Sequence, residues 1–170
     1  PALDSKRYEV RILDGRLDRV SADSVVSGTK DALCLGITVL TGAPIGNALR
    51  ITRAVKSARP ELPVIWGGWH PSLFPVETLA ESGVDATVQG QGERTFAEIL
   101  DRLAEGAGLE DIPGSTHAGI QSPPRVMVDV NELPAHDYEL IPVERYFERK
   151  GQRQLDYISS QGCRFRCTFC

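Results

Sequence analysis

The run Ala32-Leu-Cys-Leu-Gly-Ile-Thr-Val-Leu40 holds nine residues without a charge. A stretch so short and so continuously apolar reads as a strand covered on both faces, the habit of parallel sheets packed between helices. It is therefore expected to be a central strand. Val64-Ile-Trp66, running into Gly67-Gly68, and Val84 to Val88, ending at Gly90, repeat the pattern. Tyr8-Glu-Val-Arg-Ile-Leu13 alternates well enough to predict a further strand before the Asp14-Gly15 turn. Helical signals fill the gaps. Ser21 to Gly28 has a serine cap and a terminal glycine, and residues 45–58 place Ile45, Leu49, Ala54, Val55 and Ala58 at helical spacing. Residues 75–82 predict a helix stopped by Gly83, and Glu93 to Glu105 carries Phe96, Ile99, Leu100 and Leu103 on one stripe. This β-α alternation implies parallel strands joined by right-handed crossovers, hence an open α/β sheet.

Ligands of such sheets bind beyond the carboxyl ends of the strands. The loops of interest therefore begin near Asp14, Thr41, Gly67 and Gly90, and three of the four are rich in glycine. Glycine is common in any βα turn, but several together suggest close backbone approach to a large ligand. From Gly106 to Pro124 the periodicity fails and the segment reads as loop or linker. Arg125 to Val130 is read as a short strand, Asn131 to Pro142 as an irregular connector, 143–149 as one or two helical turns, and Gln154 to Ser159 as a strand. The expected organisation is an α/β domain over 1–106, a linker over 107–152, and the start of a second domain over 153–170.

That last strand leads into Cys163-Arg-Phe-Arg-Cys167-Thr-Phe-Cys170, which holds three of the four cysteines. Three soft ligands so close together suit an iron–sulfur cluster or another thiolate metal, and spacing alone leaves iron–sulfur and zinc both open. Arg164 and Arg166 would favour the thiolate forms. The fourth cysteine, Cys34, sits in the apolar run and is expected to be an inert core residue. Charge narrows the function classes. A formal net charge of -4 argues against a nucleic-acid surface. No stretch approaches the roughly 20 apolar residues that span a bilayer, and no signal segment opens the chain. A cytoplasmic protein is expected, in a compartment that keeps the cluster thiols reduced.

The Cys163-x3-Cys167-x2-Cys170 spacing, with Phe169 before the last cysteine, resembles the signature of radical S-adenosylmethionine enzymes. The resemblance implies that the three cysteines hold a [4Fe–4S] cluster on the first loop of a partial TIM-type barrel, where the open iron binds S-adenosylmethionine. Val64-Ile-Trp-Gly-Gly-Trp-His-Pro71 and Val84-Asp-Ala-Thr-Val-Gln-Gly-Gln-Gly-Glu93 resemble the flavodoxin-like cobalamin-binding domain that precedes the barrel in one branch of that family. By this resemblance the cobalamin side comprises Thr38, Thr41, Gly42, Gly67, Gly68, His70, Gly90, Gly92 and Glu93. The implied activity is methyl transfer to an unactivated centre of a small-molecule substrate, with a flavodoxin- or ferredoxin-like reductant. No residue of the visible chain is assigned a catalytic role.

The Asp-x-His-x-x-Gly motif of histidine-ligated corrinoid proteins is absent, as it is from many members of the radical branch. The chain starts too late to show the family's first strand, so a fragment lacking that strand and most of the barrel is expected. Individual residues keep a second role. His70 can satisfy a backbone group instead of a ligand, and Glu93 can serve simply as a favourable charge at a helix N-terminus. Trp66 is expected in the core, whereas Trp69, after two glycines, is placed to flank a corrinoid or to cover the barrel. Neither a Walker sequence nor Gly-x-Gly-x-x-Gly occurs. Three alternatives are carried. One is an anaerobic cyclase of the magnesium-porphyrin type, and another is a noncatalytic corrinoid module with a thiolate zinc tail. The third, a methylthiotransferase-like enzyme, is disfavoured because the first domain holds Cys34 and no further cysteine.

Overall fold

The computed structural model describes residues 3–156, 165, 167 and 168. The chain divides into two compact units, one formed by Leu13–Met127 and the other by Leu3–Ile12 with the described residues from Val128 onward.

The larger unit opens with helix α1 (Ala22–Gly28). Ser21 caps it as the sequence predicts, in a reciprocal capping box with Ser24. Strand β1 (Leu35–Thr38), helix α2 (Ala43–Ala58), strand β2 (Val64–Gly67), the short helices α3 (Trp69–Leu73) and α4 (Pro75–Leu79), strand β3 (Ala86–Val88) and helix α5 (Gly92–Ala104) follow. β1, β2 and β3 are parallel neighbours, registered Leu35 to Val64 and Ile65 to Ala86.

Helices cover this sheet on both sides because β2 is apolar on both faces. Val64 and Trp66 belong to one buried cluster with Val55 of α2 and Val25 of α1. Ile65 belongs to the other, with Ile99 of α5. The stripe expected on α5 holds, since Ile99 and Leu100 are buried and Phe96 and Leu103 pack against the second cluster. The position expected for the Ala32–Leu40 run does not. β1 lies at one margin of the described sheet and pairs with β2 alone, and its residues alternate between half-buried and exposed. The strand buried on both faces is β2.

Three further readings are corrected. Residues 8–13 form no strand; Ile12 and Leu13 are 49% and 50% exposed, and the segment joins no described sheet. Alternation alone does not hold an extended segment, because a strand is stabilised by its ladder partner and by a buried face. The aperiodic stretch from Gly106 to Pro124 contains a hairpin, β4 (Ser115–His117) and β5 (Ile120–Gln121), which joins the sheet antiparallel to β3. Its turn uses Ala118 at φ 51° and Gly119 at φ 79°, and a two-residue turn with positive φ at both positions matches the right-handed twist of its strands. Arg125 to Val130 is not a strand.

Arg125 instead fastens this segment to α5. Its Nε donates to Thr95 Oγ1 at 2.8 Å and to the Pro113 carbonyl at 3.1 Å, and its Nη2 donates to Glu98. The buried Thr95 hydroxyl in turn donates to the Pro113 carbonyl at 2.9 Å. Hydrogen bonds to charged groups contribute about 1.5–3 kcal/mol when well formed, and this cluster is partly exposed. Arg125→Met is accordingly expected to lower stability by about 1–2 kcal/mol in urea unfolding. An unchanged midpoint would show the clasp to be incidental.

In the second unit, helix α6 (Val143–Lys150) occupies the region expected to be helical and ends at Gly151, φ 67°. Arg153 pairs with both Glu144 oxygens at 2.7 and 2.9 Å and stands 4.7 Å over the Phe147 ring. The strand expected over 154–159 lies partly outside the described residues; 154–156 are irregular. No helix among the described residues is long and apolar enough to cross a membrane.

Candidate functional site

Because β1, β2 and β3 run parallel side by side, the loops after Thr38, Gly67 and Val88 emerge at one edge of the sheet. All nine residues assigned to the cofactor from sequence lie at the carboxyl ends of these strands, in the loops themselves or in the first turns of the helices that follow.

Hydrogen bonds join the loops to one another. The Val39 N–H donates to the Gly67 carbonyl at 2.8 Å, and the His70 N–H returns to the Val39 carbonyl at 3.0 Å. Ser72 Oγ donates to the Gly68 carbonyl at 2.7 Å and accepts the Gly90 N–H at 2.9 Å. The Gln89 N–H donates to the carbonyl of Gly114, in the segment that Arg125 fastens, at 2.8 Å.

The glycines divide by task. Gly68 has φ 92°, and a Cβ there would stand 3.0 Å from Thr38 Cγ2 and 3.1 Å from the Val39 carbonyl oxygen. A Cβ on Gly92 would stand 2.9 Å from Val88 Cγ1, so that glycine lets α5 start close against β3. Gly67 has room for a side chain, its nearest neighbour being Val88 Cβ at 3.8 Å. Gly42 at φ 102° and Gly90 at φ 65° have nothing within 4 Å of a built Cβ. Both therefore need glycine for conformation and present bare backbone to open space.

Two polar atoms at this edge are buried without a hydrogen-bond partner, Nδ1 of His70 and Oε2 of Glu93. Buried polar groups are normally satisfied, so each needs an account. The His70 ring lies 5.5 Å from that of Phe74, centroid to centroid. Glu93 stands in the first turn of α5, where its charge also favours the helix. Around them the surface is apolar: Trp69 is 67% exposed, and Leu40, Leu73 and Phe74 are exposed with it. Thr38 and Thr41 are exposed beside them. Open glycine backbone, unsatisfied polar atoms and exposed apolar groups together suit a large ligand with an apolar body and a polar periphery.

Ser72 was not among the residues singled out from sequence, although it couples two of the loops. A serine after His-Pro reads as an ordinary turn residue, and the helix that presents it, α3, gives no periodic signal.

Of the thiolate cluster, Cys163 and Cys170 lie outside the described residues, and Cys167 is exposed. Cys34 packs against the second buried cluster, and burial pushes its thiol from 9.0 up to about 11. The thiolate is the reactive form, so Cys34 is expected to resist iodoacetamide near pH 8 while the protein is folded and to react in urea, as read by peptide mass. Because the folded value is raised, this contribution to stability is intact below about pH 9 and is lost as pH rises towards 11. Rapid labelling of folded Cys34 would contradict its burial.

A sequence profile described as "B12 binding domain" matches residues 2–100. A methyltransferase of Pyrococcus horikoshii, PH0819, itself uncharacterized, is 31% identical over 97% of this chain and 37% of its own length. The hopanoid C-3 methylase of Methylococcus capsulatus is 27% identical over 82% of this chain and 27% of its own length. The chain thus spans well under half of each relative. Among solved structures, the radical S-adenosylmethionine methyltransferase TsrM from Kitasatospora setae, with cobalamin and a [4Fe–4S] cluster bound, superposes with a TM-score of 0.63. That match is 24% identical over 75% of this chain and 25% of the other.

Proposed function

This chain belongs to the B12-binding domain family, and on that premise we propose that the edge bounded by Thr38, Gly68 and Glu93 holds a cobalamin that serves a radical S-adenosylmethionine methyltransferase. The single observation that carries the reading is the agreement of the family match with the geometry: residues 2–100 include all three loops, and their bare glycines and unsatisfied atoms converge at one edge. The methyltransferase part rests on the two relatives.

When bound, cobalamin supplies a methyl carrier at its cobalt. What this chain contributes is position. The backbone at Gly42 and Gly90 approaches the cofactor where a side chain would hold it away. The hydroxyls of Thr38 and Thr41 offer hydrogen bonds to its periphery, and Nδ1 of His70 and Oε2 of Glu93 gain the partners they lack. Trp69, Leu40 and Leu73 cover apolar surface and exclude water. Cys163, Cys167 and Cys170 are assigned to the [4Fe–4S] cluster that binds S-adenosylmethionine, with a flavodoxin- or ferredoxin-like protein as reductant and a small molecule as substrate.

The test is retention of hydroxocobalamin by the anaerobically prepared full-length protein. Corrin absorption that persists through desalting in stoichiometric amount is expected. Its absence removes the reading. With labelled S-adenosylmethionine, transfer of label to product supports methyl transfer, whereas an unlabelled cyclised product replaces it with the cyclase alternative.

A further inference from the structure

We propose that Ser72 is a positioning residue of this edge, a hydroxyl strut that sets the loop after β3 against the loop after β2. The inference rests on the cobalamin reading above and adds a residue to it.

The hydroxyl is held in one polarity. Ser72 Oγ donates to the Gly68 carbonyl at 2.7 Å, and the Ser72 N–H donates to the same carbonyl at 3.2 Å. A serine in a helix can bond back to the carbonyl four residues earlier in this way. With its proton committed to Gly68, Oγ turns a lone pair to the Gly90 N–H, which it accepts at 2.9 Å across 18 residues of sequence. Gly68 makes this possible twice over. Its φ of 92° lets α3 begin directly after β2, and its carbonyl is the anchor of the strut.

The loops are coupled unequally. Between the first and second, the bonds from Val39 to Gly67 and from His70 to Val39 are backbone to backbone and use no side chain. Between the second and third, the coupling runs through the Ser72 side chain. The residue it holds, Gly90, lies one residue beyond the Gln89 N–H bond to the Gly114 carbonyl and has only open space where a side chain would pack. A loop left free before binding must be ordered by the ligand, and that cost is subtracted from affinity.

The full-length protein carrying Ser72→Ala is compared with Ser72→Thr, with hydroxocobalamin as the probe. Ser72→Ala is expected to raise Kd about tenfold, a change of about 1.4 kcal/mol. It is also expected to speed hydrogen exchange at the Gly90 amide in the ligand-free protein. Ser72→Thr keeps the hydroxyl and is expected to restore both. Unchanged affinity in Ser72→Ala overturns the proposal. So does weakened binding with unchanged Gly90 exchange, because the hydroxyl would then act on the ligand directly. Failure of the wild-type protein to retain hydroxocobalamin defeats the cobalamin reading itself, and with it this inference; the wild-type measurement tells the two failures apart.

Discussion

Gly68→Ala is expected to lower stability by about 2–4 kcal/mol and to weaken hydroxocobalamin binding. The backbone at Gly68, φ 92° and ψ -163°, lies in a region open essentially to glycine alone, which costs a larger residue about 1–3 kcal/mol. Crowding adds to that strain. The new methyl would stand 3.0 Å from Thr38 Cγ2, 3.1 Å from the Val39 carbonyl oxygen and 3.2 Å from the Val39 nitrogen. Two of those three atoms are backbone and cannot rotate away. Moving them stretches the bonds from Val39 to Gly67 and from His70 to Val39, which join the first two loops. Gly42→Ala is the control, since φ 102° imposes strain there but nothing lies within 4 Å. Urea unfolding of both variants separates strain from crowding, and hydroxocobalamin titration follows the loss of binding in Gly68→Ala. Equal losses at the two positions would show that the close approach to Val39 carries no weight.

The largest stability effect is expected at Trp66. Its side chain is fully buried in β2, and its indole N–H donates at 3.0 Å to the hydroxyl of Thr52, which is buried with it. Truncating a buried tryptophan to alanine costs about 3–5 kcal/mol through lost transfer energy and an unfilled cavity. Trp66→Ala also strips a buried hydroxyl of its donor, which adds about 1 kcal/mol or more. Against a total of roughly 5–15 kcal/mol for a typical domain, the variant is expected to be largely unfolded in moderate urea where the wild type is folded. Trp66→Phe keeps most of the volume and loses the donor, so it is expected to fall between the two. A Trp66→Ala midpoint within experimental error of the wild type would refute the packing described for β2.

Composition and order along the chain conveyed the fold class, and local chemistry conveyed its punctuation. The Ser21 cap, the helical spacing of the α5 stripe, and the glycine punctuation after β2 and before α5 are local features, which a sequence displays directly. The candidate edge was legible for the same reason, because parallel strands in order place their terminal loops together. Less legible was what those loops do. Gly68 and Gly92 proved to be packed against Val39 and Val88, while Gly42 and Gly90 face open space, and nothing in the letters distinguishes the two kinds.

Placement across the sheet was decided by partners distant in sequence. The Ala32–Leu40 run is the longest apolar run, yet β1 lies at the margin of the described sheet, and the shorter Val64–Trp66 run is buried on both faces. Periodicity reports how apolar a segment is and leaves open which elements cover it. Residues 8–13 alternate without pairing, whereas 115–121 pair without alternating, because a ladder depends on the partner strand and a turn with two positive φ values. Ser72 belongs to the same class: its two hydrogen-bond partners, Gly68 and Gly90, are 22 residues apart and meet only once β2 and β3 lie side by side. By itself, then, the sequence determined the β-α alternation from Ser21 to Glu105 and the loops where a ligand is expected, both of which are written locally. The tertiary structure alone decided which strand is central, which glycines are bare, and which hydroxyl ties the loops, since each depends on contacts made when distant segments pack.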